Sequence, residues 1–232
     1  MIPRHNGLSH NGFRRYPIAM TLSLELWQAN QDLAHACLEH PFIQEIGTGT
    51  LPKAIFTYYL GQDVFFLNAF ARAYSLAAVK APDMTAFEVF HTLVDGVLKE
   101  LRLHQGYAAE WRVDLKAIEL GDATRRYTDF LSSIAWNGDI GSIAVAMTPC
   151  MRLYSFLGKR LAERDELEHL YTEWIQTYSS PAFDELAYQL EALVDQYAID
   201  TPSIRSTYRY AMVCEREFFQ AAWNSQNAKP RN

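Results

Sequence analysis

Cysteine is scarce in this 232-residue chain: Cys37, Cys150 and Cys214 are the only three. An odd number without paired spacing is no disulfide framework, and a reducing compartment is the simplest setting. A cytoplasmic location is therefore expected. Positive charge is also short. Lys and Arg number 21 against 27 Asp and Glu, a formal net charge of -6. That balance argues against non-specific nucleic-acid binding, which needs a basic face to displace counterions. No apolar run approaches the roughly 20 residues that span a bilayer. Gly-rich phosphate loops, Cys-x-x-Cys pairs and Gly-x-Ser-x-Gly elbows are missing as well. What the chain does have is apolar bulk: 49% of its residues are hydrophobic, enough for a sizeable core.

Strand alternation is missing too, and helical periodicity fills the space. Leu22, Leu26, Leu33 and Cys37 make an apolar stripe at helical spacing. The spacing predicts a first helix stopped by His40-Pro41-Phe42, a loop over 47–50 and a long aromatic helix over 52–80 with a break near Gly61. A turn at 81–83 and a helix to about Trp111 follow. Asp122 and Asp139 are N-cap candidates, and Ser180-Pro181 and Thr201-Pro202 each pair a cap with a first-turn proline. Residues 52–80 and 139–164 are apolar on most faces, as in the middle of a bundle. With short connections and no repeat, residues 20–226 read as one all-α domain. Residues 1–19, rich in Asn, Gly, His and Arg, read as a mobile N-terminal extension with Met20 as an alternative start, and 227–232 as a tail.

Three places could carry chemistry. Cys150 lies among Ile143, Ala144, Val145, Ala146 and Met147, company in which a cysteine is ordinarily an inert small hydrophobe. A second reading, as a nucleophile, draws on Tyr154 at i+4 and on Pro149, which disturbs the helix and can aim a side chain into a cavity. Asp63 sits in YYLGQDVFFLNAF, residues 58–70. It is either a surface residue at a helix start or a carboxylate anchoring a ligand between aromatic rings, since burial without partners is costly. Glu215 heads a stripe with Phe218, Phe219 and Ala222, where its pKa would rise and suit a general acid or base. A carboxylate at the rim of the stripe is the alternative, and Glu217 lies off it. Tyr127 and Tyr178 also lie on apolar stripes and read first as core aromatics.

Two Glu-x-x-His units, Glu88…His91 and Glu166…His169, raise the alternative of a di-iron site of the kind found in helical bundles. The second unit falls in the charge run AERDELEH, where a ligand would face water, so no metal is expected.

Taken in order, HPFIQEIGTGTLPKAIFTYYLGQDVFFL (40–67), TRRYTDFL (124–131), PCMRLYSFLG (149–158), EWIQTYSSPAF (173–183) and the closing ExxFFxxAW (215–223) resemble the TenA/thiaminase II family, from about Leu22 to Trp223. The resemblance implies a haem-oxygenase-like all-helical fold, usually a homotetramer, with no cofactor. It implies an aminopyrimidine aminohydrolase of thiamin salvage, with thiamin cleavage as a second candidate activity. Carried over by position, Cys150 is the nucleophile and Glu215 the proton donor and acceptor. Asp63 binds the pyrimidine, Phe66 packs on it, and Tyr127, Tyr154 and Tyr178 line or hydrogen-bond it. The chain departs from the pattern at Arg152 and Phe219, where the family commonly has tryptophan. A pyrimidine-binding regulator without chemistry and a di-iron oxidase of similar fold remain as alternatives.

Overall fold

The computed structural model of the protein describes residues 20–111, 113–114, 117–164 and 168–225. The extension over 1–19, the tail over 227–232 and Glu166 lie outside the described residues. Ten helices and no strand occur among those described: α1 Leu22–Ala29, α2 Gln31–Leu38, α3 Pro41–Thr48, α4 Lys53–Lys80, α5 Met84–Trp111, α6 Asp122–Asn137, α7 Ile140–Ala162, α8 Thr172–Ser179, α9 Pro181–Tyr197 and α10 Pro202–Asn224. The all-α expectation holds.

Local chemistry sets most of the boundaries. Asp139, Ser180 and Thr201 accept from the backbone N–H three residues on, at Ser142, Phe183 and Ile204. Each satisfies a donor that a helix start leaves orphaned. Some boundaries depart from the sequence expectation. The first helix is two, divided at Asn30, whose side chain donates to the Leu26 carbonyl. The expected stop at His40 holds, since α2 ends at Leu38, but His40 also starts a further helix: its ring accepts from the Phe42 N–H, and α3 ends at Gly49 in the left-handed region, φ 74°. The α6 cap position is Gly121, with Asp122 already inside the helix. Finally, α4 runs unbroken through Gly61, because that glycine serves packing: a Cβ there would lie 2.2 Å from Ile118.

The bundle is organised about α4 and α7. Helix α4 packs against α5 and α6, helix α7 against α8, α9 and α10, and the two meet each other. Helix α7 is, against expectation, long and apolar enough to cross a bilayer by length and composition, yet 83% of its most apolar window is buried inside the protein. It is a core helix. Polar ties fix the layers. Gln62 accepts from Gly121 N–H (2.9 Å) and Thr124 Oγ1 (2.7 Å) and donates to the Glu119 carbonyl (2.8 Å), locking α4 to the start of α6. The Lys80 ammonium donates to the carbonyls of Ala135, Trp136 and Gly138, closing the C-terminus of α6. Asp184 on α9 accepts from Ser155 and Lys159 of α7.

Helix α8 approaches α7 so closely that a Cβ on Gly158 would stand 2.5 Å from the Tyr178 carbonyl carbon and 2.6 Å from the Ser179 nitrogen. Backbone cannot step aside as a flexible side chain can. Gly158→Ala is therefore expected to cost about 1–3 kcal/mol, the usual range for overpacking. Urea denaturation checks this; an unchanged midpoint would mean that α8 is free to shift.

Candidate functional site

Six helices converge on one buried cluster. From α4 come Tyr59, Asp63 and Phe66, from α5 Glu100 and His104, from α6 Tyr127, from α7 Cys150 and Tyr154, from α8 Tyr178, and from α10 Glu215. Asp63 is 3% exposed and Glu215 2%, so neither is the surface carboxylate that the sequence left open. The seven residues singled out from the sequence all belong to this cluster.

Tyr127 donates from its hydroxyl to Glu215 Oε1 at 2.7 Å, and the Cys150 thiol is a second hydrogen-bond partner of that carboxyl. Burial pushes Glu215 up to about 7, although both bonds favour its anion. Burial, and then the neighbouring Glu215 carboxylate, push the Cys150 thiol well above its ordinary range. At rest it is a thiol, with the Glu215 carboxyl beside it. The Phe66 ring meets Tyr127 at 4.9 Å between centroids. Tyr154 meets Tyr178 edge-on at 4.8 Å, and its hydroxyl is 3.2 Å from that of Tyr59, which accepts from the Trp174 indole N–H.

Across the cluster lies a group that sequence patterns did not single out. His104 Nδ1 is 3.4 Å from Asp63 Oδ2, and the Tyr178 hydroxyl donates to Glu100 Oε1. Burial holds His104 down near 4, hence neutral at pH 7, and lifts Glu100 to about 7. Asp63 is raised well above the carboxylate range by burial and then by the Glu100 and Glu215 charges. Glu100 and His104 stand at i and i+4 on α5, so the spacing was readable. The surrounding KELRLH, with its three charged residues in a row of six, looks like a solvated face. One ligand atom each from Asp63, Glu100 and His104 falls within 4.8 Å of the others, close enough for a cation and equally for a shared proton.

Asp63, Phe66, Cys150, Tyr154 and Tyr178 border an inner cavity of only about 10 Å³, room for no more than one water. Glu100, Met151 and Phe183 stand between it and a groove of about 360 Å³ among α5, α8 and α9.

Other sequence expectations resolve plainly. Glu88 and His91 are both exposed on α5, so that pair builds no buried di-iron centre. Glu217 is half-exposed and paired with Arg126 at 2.8 Å. Arg152 lies over the Trp27 ring and near Glu191, while Phe219 stacks on Phe42 at 5.6 Å; neither borders the inner cavity. All three cysteines are free and buried.

Residues 27–225 match the family described as TENA/THI-4/PQQC. The chain is 36% identical over 208 residues to the mitochondrial bifunctional TH2 protein of Arabidopsis thaliana, covering 78% of this chain but only 34% of that one. It is 30% identical over 218 residues to an aminopyrimidine aminohydrolase of Halalkalibacterium halodurans, covering 89% of this chain and 97% of the relative. Among solved structures it is similar to a TenA family transcription regulator from Silicibacter sp. TM1040, with TM-score 0.80, 27% identity, and 85% and 94% of the two chains covered. A domain of heme oxygenase-like fold from Shewanella denitrificans superimposes with TM-score 0.70 at 14% identity, over 90% and 97% of the two chains.

The Glu215 shift predicts a pH-dependent stability. Its folded pKa, about 7, exceeds the ordinary 4.5. Between those values the unfolded chain gives up a proton that the folded protein keeps, so this residue's contribution falls as pH rises through the window and stays lost above 7. Glu215→Gln removes that penalty. Urea melts at pH 5 and pH 8 are expected to show the variant gaining on the wild type by on the order of 2–3 kcal/mol at the higher pH. An equal difference at both would mean that Glu215 is ionised throughout.

Proposed function

The chain belongs to the TENA/THI-4/PQQC family, and from that premise we propose that it is an aminopyrimidine aminohydrolase of thiamin salvage. It converts an aminomethylpyrimidine to the hydroxymethylpyrimidine and also cleaves thiamin. The observation that carries this reading is the Cys150 thiol beside the Glu215 carboxyl, with Tyr127 holding that carboxyl from the other side.

Water displaces an amine from such a CH2 group slowly, and a covalent route divides the step into two easier ones. Glu215 takes the Cys150 proton as sulfur bonds to a ring carbon, which breaks the ring's aromaticity. The ring's electrons then expel the amine, and Glu215 returns the proton to it. Water adds to the exposed methylene and gives its proton to the Glu215 carboxylate. Sulfur leaves the ring and is reprotonated by Glu215. Phe66 and Tyr127 supply faces for the flat heterocycle, and Asp63 accepts from its amino group. A protein that only bound pyrimidines would have no use for the thiol and its base. The same reading carries a homotetramer in the cytoplasm, with the exposed Trp136 and Val79 as candidates for a subunit contact.

Purified protein is expected to release ammonia from the aminomethylpyrimidine and thiazole from thiamin. Cys150→Ser should fold normally and lose several orders of magnitude in turnover; near-wild-type rates would return Cys150 to packing. Glu215→Gln should slow both reactions and ammonia release more, because the thiazolium leaves without needing a proton. Activity should survive exhaustive chelation. Loss of turnover with EDTA and its return with iron or manganese would revive a metal mechanism.

A further inference from the structure

We infer that Glu100 is a second acid of the reaction: acting with Asp63, it supplies the proton taken up by a ring nitrogen when Cys150 adds to the pyrimidine. The inference rests on the hydrolase reading above and extends it to the opposite side of the ring.

The chemistry requires two proton donors. When sulfur bonds to a ring carbon, an electron pair moves onto a ring nitrogen, which must be protonated for the adduct to persist. Glu215 cannot meet this need. With the aminomethylpyrimidine its proton comes from Cys150 and is owed to the departing amine, and with either substrate its carboxyl is already bonded to Tyr127 and the thiol. The second donor has to reach the ring from another side of the cavity. Glu100 does: it borders the inner cavity together with Asp63, Cys150 and Tyr178.

The surroundings of Glu100 also select its protonated form. On its own helix, His104 is neutral. Helix α4 presents Asp63 and the neutral hydroxyls of Tyr59 and Tyr74, α7 presents Cys150 and Tyr154, α8 presents Tyr178, and α10 presents Glu215. None of these is a cation, and α9 contributes the apolar Phe183 to the cavity. Two carboxyls this close, without a counter-charge, hold a proton between them at neutral pH. Asp63 Oδ2 and His104 Nδ1 are buried with no hydrogen-bond partner in the cluster, so Asp63 retains an acceptor atom for the substrate's amino group. The Tyr178 hydroxyl, donated to Glu100 Oε1, fixes that oxygen and leaves the other to carry the proton.

The protons balance. In the addition, the S–C bond, a ring N–H bond and the Glu215 O–H bond form while the Cys150 S–H and Glu100 O–H bonds break. In the last step the S–C bond breaks, the ring nitrogen returns its proton to the Glu100–Asp63 pair, and sulfur recovers its own from Glu215. Nothing is consumed beyond one water.

The test compares wild type, Glu100→Gln and Glu100→Asp in single turnovers, following ammonia from the aminomethylpyrimidine and thiazole from thiamin. Calorimetric affinity for the hydroxymethylpyrimidine serves as the control for an intact pocket. Ring protonation precedes departure of either leaving group, so Glu100→Gln is expected to slow both releases by the same factor, about 100-fold or more, with product affinity within about threefold. The wild-type rate should fall as pH rises through about 7 with Glu100, and Glu100→Gln should lose that limb, whereas Glu100→Asp should recover part of the rate and keep it. A Gln variant with wild-type rates, or one whose loss matches a fall in product affinity, overturns the assignment while leaving the hydrolase reading intact. A wild type that releases neither product overturns both.

Discussion

Three carboxyl groups meet at the inner cavity of a helical bundle, Asp63 and Glu215 buried and Glu100 half-buried in its wall, and no lysine or arginine bears on any of them. That constraint organises the rest of the site. A buried anion without a partner is expensive, so each carboxyl is driven toward its neutral form, and neighbouring hydroxyl and thiol groups become hydrogen-bond partners instead of ions. Buried pairs usually balance charge with charge; here proton occupancy does that work. Groups that titrate near neutrality are what a reaction needs if it is to move protons in both directions within one cycle.

Holding such a cluster together requires stiffness elsewhere. The buried amide of Gln62 ties the helix bearing Asp63 to the one bearing Tyr127. Asp184 ties α7, which bears Cys150, to α9, and the absence of a side chain at Gly158 lets α8 bring Tyr178 into the cluster. The aromatic shell adds shape. Tyr59, Tyr154 and Trp174 form a hydrogen-bonded row behind the cavity, so rings that bury area also have their polar ends satisfied.

Much of this was legible in the sequence. Caps at Asp139, Ser180 and Thr201 mark helix starts because a side-chain oxygen before an apolar run has one common use. Glu215 could be placed on a buried face because Phe218, Phe219 and Ala222 share it at helical spacing. The break expected at Gly61 is absent because local propensity cannot see Ile118 arriving from a distant loop, and the division at Asn30 was not expected because a side-chain bond to its own helix leaves no periodic trace. Glu100 was hidden for a different reason. In a helix bearing Lys99 and Arg102, one more charge looks solvated, and only the packing of α4 and the Tyr178 hydroxyl reaching over from α8 give Glu100 an inward side.

The wall formed by Glu100, Met151 and Phe183 has a consequence for selectivity. With about 10 Å³ behind it, a heterocycle arrives only by displacing side chains, so discrimination begins in transit, before any ring contact is made. On the proposed reading, a bulkier side chain in this wall would slow entry and lengthen the dwell of whatever has passed inside.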